Sequence, residues 1–505
     1  MAALAGYGRP LLALAAGVAA VGGFAPFGLF PLPVLALALW FVLLQGRRPG
    51  QAFRLGYLFG LGLFGGGVHW VYISIHTYGH SPLPLALLAM VALVAYLALF
   101  PAGVAWAAVR WPARSVLQQY LLRLPALWLF SEWLRGWLFT GFPWLSLGYS
   151  QIDGPLAGFA PLVGSYGLGG LVAASAGGLA LLWLERSRQA GLALAVIAAL
   201  WLAGGLLHGL GWTEPQGPAL RVSLVQGNIP QELKWQPEQQ AATLEHYLEL
   251  SRKEWDGSDW HADLVVWPET AVPAFYHQME GDFLARLRAE VLANDTDLLT
   301  GIPVLDRTHW RYYNAVINLR PPTRFYYKRH LVPFGEYLPL RGLLGDLLAV
   351  MPLPVADFSP GDDGQSLLRA AGHPVGVSIC FEVIFGEEMI QALPEAAFLV
   401  NVSNDAWFGD SLAPHQHLEM ARMRALETGR WLLRATNTGI SALIAPDGRV
   451  VERSPQFQTA VVRGEIEPRG GATPYVLAGN APVLILAAIA IAVSSRRIFP
   501  GRDWN

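Results

Sequence analysis

Three residues in the second half of the chain carry the groups that covalent acyl chemistry needs: Glu269, Lys328 and Cys380. A thiolate attacks a carbonyl carbon and becomes an acyl-enzyme. A neighbouring ammonium favours the thiolate and stabilises the oxyanion of the tetrahedral intermediate. A carboxylate takes the thiol proton and later activates the second nucleophile. Cys380 is the only cysteine in 505 residues, which excludes an intrachain disulfide, cysteine-based zinc fingers and Cys-ligated iron–sulfur clusters. Lysine is scarce too: Lys234, Lys253 and Lys328 are the only three among 35 basic residues.

The elements that must position these groups alternate between strand-like and helix-like runs. Ala262–Trp267 is a buried-type strand that ends just before Pro268-Glu269. Val375–Cys380 is another and ends on the cysteine. Lys328 sits in the aromatic run Phe325-Tyr326-Tyr327-Lys328-Arg329-His330. Arg221–Ile229, Asp297–Val304, Asn314–Leu319 and Ala397–Val402 read as further strands, Pro237–Trp255 and Pro414–Leu433 as helices, and Gly439–Val451 as a hairpin turning at Pro446-Asp447-Gly448. The mixture predicts a layered α/β domain, in which strand ends along one edge collect ligand-binding residues. Residue type and position alone leave plainer readings open. A lone strand cysteine is most often a small buried hydrophobe, Glu269 would suit a helix N-terminus, and Lys328 would suit a cation–π contact.

Charge is partitioned along the chain. The average of 14% charged residues, with 53% hydrophobic, is low for a soluble domain. Residues 1–211 hold ten Arg, no Lys and three acidic residues, whereas residues 212–475 hold 22 basic and 33 acidic residues. The first segment therefore reads as membrane and the second as an ordinary charged domain. Apolar stretches near 10–28, 31–45, 55–74, 84–109, 122–139, 160–184, 190–210 and 476–494 approach the roughly 20 residues that span a bilayer core. The predicted organisation is a seven-helix membrane domain (1–211), an outside domain (212–475), and an eighth transmembrane helix with a tail (476–505). Glu132 and Arg135 interrupt the fifth stretch; they either pair or mark its outer end. With eight spans, Arg9, Arg47, Arg48, Arg54, Arg110, Arg114, Arg123, Arg186, Arg188, Arg496, Arg497 and Arg502 all fall on one side, expected to be cytoplasmic. Both termini are then inside, and residues 212–475 face the periplasm in a two-membrane bacterium. A net charge of −2 gives no reason to expect a nucleic-acid partner.

The strings VVWPET around Glu269, YYKRHLVPFGEYLP around Lys328 and SICFEVIF around Cys380 resemble, in that order, the three motifs of the nitrilase (carbon–nitrogen hydrolase) superfamily. With several spans before that domain and one after it, essentially the whole chain resembles the apolipoprotein N-acyltransferase family. PFG within Phe24–Gly28, NVSNDAWFG at Asn401–Gly409 and RATNTGISALIAPDG at Arg434–Gly448 also look like that family. The resemblance implies an αββα sandwich in which Glu269 is the general base, Lys328 the oxyanion-side cation and Cys380 the nucleophile. It matches Glu336 to a supporting carboxylate, Glu382 to the acid after the nucleophile, and Trp235 to a tryptophan near the active-site entrance. Phe381 stands where some members have Tyr, so a hydroxyl role is lost there.

The implied reaction moves an acyl chain from a phospholipid, phosphatidylethanolamine at sn-1, through a Cys380 thioester to the amine of a diacylglyceryl-cysteine apolipoprotein. That chemistry requires no metal and no organic cofactor. Rival readings are a membrane-tethered amidase and a transporter or scaffold with a decayed catalytic domain. Weaker signals are the His415-x-His417 pair as a metal site, Gly65–Gly67 and Gly164–Gly170 as close helix contacts, His69, His76 and His80 at lipid headgroups, Asn401-Val402-Ser403, which matches a glycosylation acceptor pattern but by position better suits the lining of the active site or a strand end, and residues 342–363 as lid loops.

Overall fold

In the computed structural model, residues 4–257, 259–338 and 357–495 are described. They form two compact units, one of residues 4–69, 87–210 and 478–495 and the other of residues 70–86, 211–257, 259–338 and 357–477.

The first unit is helical. Its main helices are α1 (Leu4–Val21), α2 (Pro31–Leu43), α3 (Pro49–Gly67), α4 (Leu83–Arg110), α5 (Leu124–Arg135), α6 (Ala160–Leu184), α7 (Arg188–Leu207) and α8 (Ala481–Ser494). Glycine lets these helices approach closely, as in membrane bundles. A Cβ on Gly17 would lie 2.0 Å from the Phe59 carbonyl oxygen, and one on Gly62 would lie 2.2 Å from that of Leu14, so α1 and α3 meet backbone to backbone. Gly169 in α6 is likewise filled by Glu132, and Gly67 by Leu145, as the close-contact reading of these glycines expects.

All eight apolar stretches contain helix, but they differ in reach. Among the described residues, α4, the run Pro155–Leu184 and α7 are long and apolar enough to cross a membrane. A fourth is added if α3 and Val71–Tyr78 count as one bent span. The stretch read at 10–28 is helical only to Val21, and the one at 476–494 is split between a short helix at Pro474–Ala478 and the helix from Ala481. In the stretch read at 55–74, α3 ends at Gly67 and helix resumes at Val71, and residues 70–86 belong to the second unit. Glu132 and Arg135 are both buried in α5. Glu132 accepts from Leu147 N at 2.7 Å, and Arg135 donates to Phe142 O, Trp144 O and Ser146 Oγ. The two residues therefore brace the segment 142–147 after their own helix.

The second unit holds two six-stranded sheets. The first contains β1 (Leu220–Gln226), β2 (Leu264–Val266), β3 (Asp297–Asp306), β4 (Arg311–Asn318), β5 (Arg324–Tyr327) and, from the end of the domain, β12 (Ala460–Ile466), in the order β12-β1-β2-β3-β4-β5. The second contains β6 (Leu368–Ala370), β7 (His373–Ile379), β8 (Phe398–Ser403), β9 (Leu432–Thr436), β10 (Ala442–Ile444) and β11 (Val450–Arg453), in the order β11-β10-β9-β8-β7-β6. Each sheet has parallel central strands (β1-β2-β3 and β7-β8-β9) and antiparallel edges.

Strand alternation sorts the side chains between two cores. Val222, Leu224, Leu264, Val266 and Leu299 pack with Val375, Val377, Ile379, Val400 and Leu433, which places the sheets face to face. The alternate residues Val225, Val265 and Leu298 pack against helices α9 (Pro237–Trp255) and α10 (Phe283–Ala293). A further helix, α11 (Ala413–Thr428), contacts the second sheet at β9. The αββα expectation is met. The helix expected to run to Leu433 instead stops at Thr428, where Gly429 takes the left-handed conformation (φ 62°) that ends helices, and Leu432–Thr436 is a strand.

Candidate active site

Glu269 sits in a tight turn after β2. That turn packs on β3 at Gly301, where an added Cβ would stand 2.7 Å from the Glu269 Cα, so only glycine lets the carboxylate's backbone sit this low. Lys328 follows β5. Its backbone N–H donates to Asn314 O at 2.8 Å, and its carbonyl accepts from Gly361 N at 2.8 Å. Cys380 follows β7 with φ at 53°, a conformation costly for a side-chain-bearing residue that turns the thiol off the strand end.

The carboxylates and the lysine are joined by short bonds. Lys328 Nζ lies 2.8 Å from Glu336 and 3.9 Å from Glu269 Oε1. Asn314 Nδ2 donates to Glu269 Oε1 at 2.7 Å and to Glu336 Oε1 at 3.3 Å, bridging the two acids. Glu336 also accepts from Val332 N at 2.8 Å. Burial disfavours the Lys328 ammonium, but Glu336, then Glu269 and Cys380, outweigh that and hold it above the ordinary lysine range. Burial pushes the Cys380 thiol up to about 12; Glu269 and Asp405 add to the rise, and Lys328 opposes it. The resting thiol is therefore neutral. Attack requires transfer of its proton to a base as the new bond forms.

The remaining expected residues take different positions. Glu382 is buried and accepts four hydrogen bonds, from Ile379 N (2.6 Å), Arg329 N (2.6 Å), His330 N (3.2 Å) and the Tyr326 hydroxyl (3.0 Å). It ties the segment after Lys328 to the turn that carries Cys380. Phe381 packs edge-on against both His330 and Phe385, whose rings stack on each other. Trp235 is 55% exposed, at the end of a turn that begins at Pro230. His69 Nδ1 lies 2.9 Å from Gly66 O, and His76 Nδ1 lies 2.8 Å from Ser81 O, so both rings engage local backbone. Asn401 is wholly buried on β8 beside Cys380 O, inaccessible to glycosylation. Most of the proposed lid, residues 342–363, lies outside the described residues.

Three features were not anticipated. The first is Asn314, whose bridging of the two acids depends on strand register rather than on any motif. The second is Lys234, buried against the site with its Nζ 3.0 Å from Glu269 O. The third is a buried polar network behind Cys380. His417 Nε2 and Asn401 Nδ2 lie 3.3 and 3.4 Å from Cys380 O. Asp405 accepts from Arg434 at 2.7 Å and from Ser403 Oγ at 2.8 Å, and lies 3.1 Å from His417 Nδ1. Burial and Arg434 hold His417 below the ordinary histidine value, so its ring is neutral. His417 Nε2 thus engages the backbone of Cys380. Among the described residues no group of three or more His, Cys, Asp and Glu side chains is arranged to hold a metal ion. Residues 70–86 buttress this network: Ser74 Oγ donates to Trp407 O at 2.7 Å, and Trp70 packs on Phe408 with its Nε1 3.3 Å from Gln416 Oε1. Asp405 and Arg434 lie inside two of the recognised strings, which was the available signal for them.

Comparison with known proteins adds family information. A family described as apolipoprotein N-acyltransferase N-terminal domain matches residues 16–178, and carbon-nitrogen hydrolase matches residues 221–475. An apolipoprotein N-acyltransferase of Methylococcus capsulatus is 47% identical over 489 residues, covering 96% of each chain. One from Nitrosomonas europaea is 47% identical over 508 residues, covering 98% of this chain and 99% of its own. Among solved structures, a carbon-nitrogen hydrolase from Helicobacter pylori is 14% identical with a TM-score of 0.38, covering 55% of this chain and 96% of that one.

Proposed function

The chain belongs to the apolipoprotein N-acyltransferase family, whose activity is lipoprotein N-acylation, and from that premise we propose that it works by two acyl transfers through Cys380. Glu269 takes the thiol proton as Sγ bonds to the ester carbonyl carbon of a phospholipid acyl chain. Lys328 faces the developing negative charge. The tetrahedral intermediate collapses, the C–O bond breaks, and the lysophospholipid oxygen leaves with the proton from Glu269. The amine of a diacylglyceryl-cysteine apolipoprotein then attacks the thioester and gives a proton to Glu269. The second tetrahedral intermediate collapses, the C–S bond breaks to leave the amide, and the released thiolate takes that proton back. Phosphatidylethanolamine is the proposed donor.

The observation that carries this reading is the clamp of Asn314 on Glu269 and Glu336, which fixes the base and the partner of Lys328 beside a neutral thiol. Glu336 keeps Lys328 charged, Glu382 positions the Cys380 turn, Phe381 packs behind it, and exposed Trp235 borders the entrance. The purified chain, given phosphatidylethanolamine labelled in its sn-1 acyl chain and a diacylglyceryl-cysteine peptide, should yield equal amounts of labelled amide and lysophospholipid. Free fatty acid with no amide would instead make it a hydrolase.

We propose further that the first unit spans the bacterial inner membrane with the eight helices as eight spans, both termini cytoplasmic and residues 212–475 periplasmic. Support comes from the apolar helices and the one-sided arginines. A reporter fused after Gly211 should be active only outside the cytoplasm; activity inside would reverse this topology.

A further inference from the structure

Two of the chain's three lysines are buried at this one site. Lys328 is bound to Glu336 at 2.8 Å and stands farther, 3.9 Å, from Glu269. Its charge is therefore largely matched before any reaction begins. Lys234 differs. Among the described residues its one hydrogen-bond partner is a neutral atom, the Glu269 carbonyl oxygen at 3.0 Å. The groups whose charges act on it are Glu269, from the turn after β2, and, once ionised, Cys380, from the turn after β7. Lys328, Glu336 and Asp405 surround the same pair, and Glu232 lies on its own turn.

That turn is fixed at several points. Lys234 N donates to Pro230 O, Gln231 accepts from Asn404 Nδ2 at 2.7 Å, and Ile229 N donates to Asn437 Oδ1 at 2.9 Å. The ammonium is thus held in place rather than carried on a loose arm. Burying a cation costs desolvation energy, and a neutral carbonyl alone does not offset it.

Resting on the acyl-transfer reading above, we infer that Lys234 is a second positioning cation: it clamps the backbone of Glu269 and supplies the positive charge that the Cys380 thiolate and the oxyanion draw on. Burial lowers its ammonium to about 8, against the opposing pull of Glu269 and Cys380. The group is therefore charged at neutral pH and loses its proton just above it. The acylation rate of the intact enzyme should then fall as pH rises through about 8.

The test uses full-length protein and the variants Lys234→Gln, which keeps a donor, Lys234→Met, which keeps neither donor nor charge, and Lys234→Arg, which keeps both. Two rates are followed against pH: alkylation of Cys380 by iodoacetamide, and acylation of Cys380 by labelled phosphatidylethanolamine. Both Gln and Met should slow alkylation of Cys380 about tenfold at pH 7 and slow acylation about tenfold at the same pH, with KM for the lipid unchanged. Arg should keep the wild-type alkylation rate at pH 7 and abolish the fall in acylation above about pH 8. At pH 7 the Met variant should melt no lower than wild type, because it removes a buried charge.

Unchanged alkylation rates at pH 7 in both neutral variants would overturn the inference. So would full restoration by Gln, which would reduce Lys234 to a backbone prop. If a variant fails to fold, the wild-type profile decides, since absence of a fall in acylation above about pH 8 also contradicts the inference. Failure of wild-type Cys380 to acylate at all would instead defeat the acyl-transfer reading itself.

Discussion

Glu269→Gln should slow formation of the acyl-enzyme by about 10²- to 10⁴-fold while leaving the protein folded. Gln is nearly isosteric, and its oxygen can still accept from Asn314 Nδ2, so the clamp survives. What disappears is the ability to take a proton from a thiol that burial and neighbouring acids hold neutral, at about 12. The Coulombic contact with Lys328 at 3.9 Å goes as well, but Glu336 still holds that ammonium. Single-turnover acylation with labelled phospholipid measures the effect, and an unchanged melting temperature separates it from misfolding. Activity within threefold of wild type would remove Glu269 from the role of base.

Asp405→Asn should produce the largest loss of stability, on the order of 3–5 kcal/mol for the catalytic unit, because it leaves Arg434 charged and unpaired in a wholly buried position. Burial disfavours the Asp405 carboxylate, but Arg434 and then His417 hold its proton affinity well below the usual carboxylate range. A depressed carboxylate contributes stability that is full above the unfolded-state value, about 3.9, and is lost as acid approaches the native value. The wild type should therefore lose stability on acidification below about pH 5, and this acid-dependent loss should be smaller in the variant. In the folded fraction, Cys380 loses one of the charges opposing its ionisation, so alkylation there should be faster. Thermal or denaturant unfolding across pH checks the first effect. A variant as stable as wild type would mean the network is dispensable.

The sequence showed more of the chemistry than of its support. Glu269 and Cys380 were legible because apolar strand runs end on them, and strand ends are where an α/β fold exposes functional groups. Lys328 was legible through its motif, although the four-residue strand before it was too short to stand out. The overlong helix at 414–433 arose because helix, cap and strand are all buried there, which leaves no polar face to mark the change; Gly429 was the local signal that ended it. Hydropathy located the apolar helices but not their ends. The stretch read as a span through residue 74 breaks after Gly67, and residues 70–86 join the catalytic unit through contacts of Ser74 and Trp70 with residues over 300 positions away. Asn314, Lys234 and His417 depend on register and tertiary packing, to which local spacing is blind.

The central claim is that Cys380 carries the acyl group between donor and acceptor. The most direct measurement is mass spectrometry of the purified enzyme after incubation with phosphatidylethanolamine labelled in its acyl chain and no acceptor. The account predicts one labelled acyl group on the peptide containing Cys380, removed by hydroxylamine, discharged as an amide when a diacylglyceryl-cysteine peptide is added, and absent in Cys380→Ala. Label that persists in Cys380→Ala, or a wild-type enzyme that transfers acyl chains without ever carrying one, would contradict it.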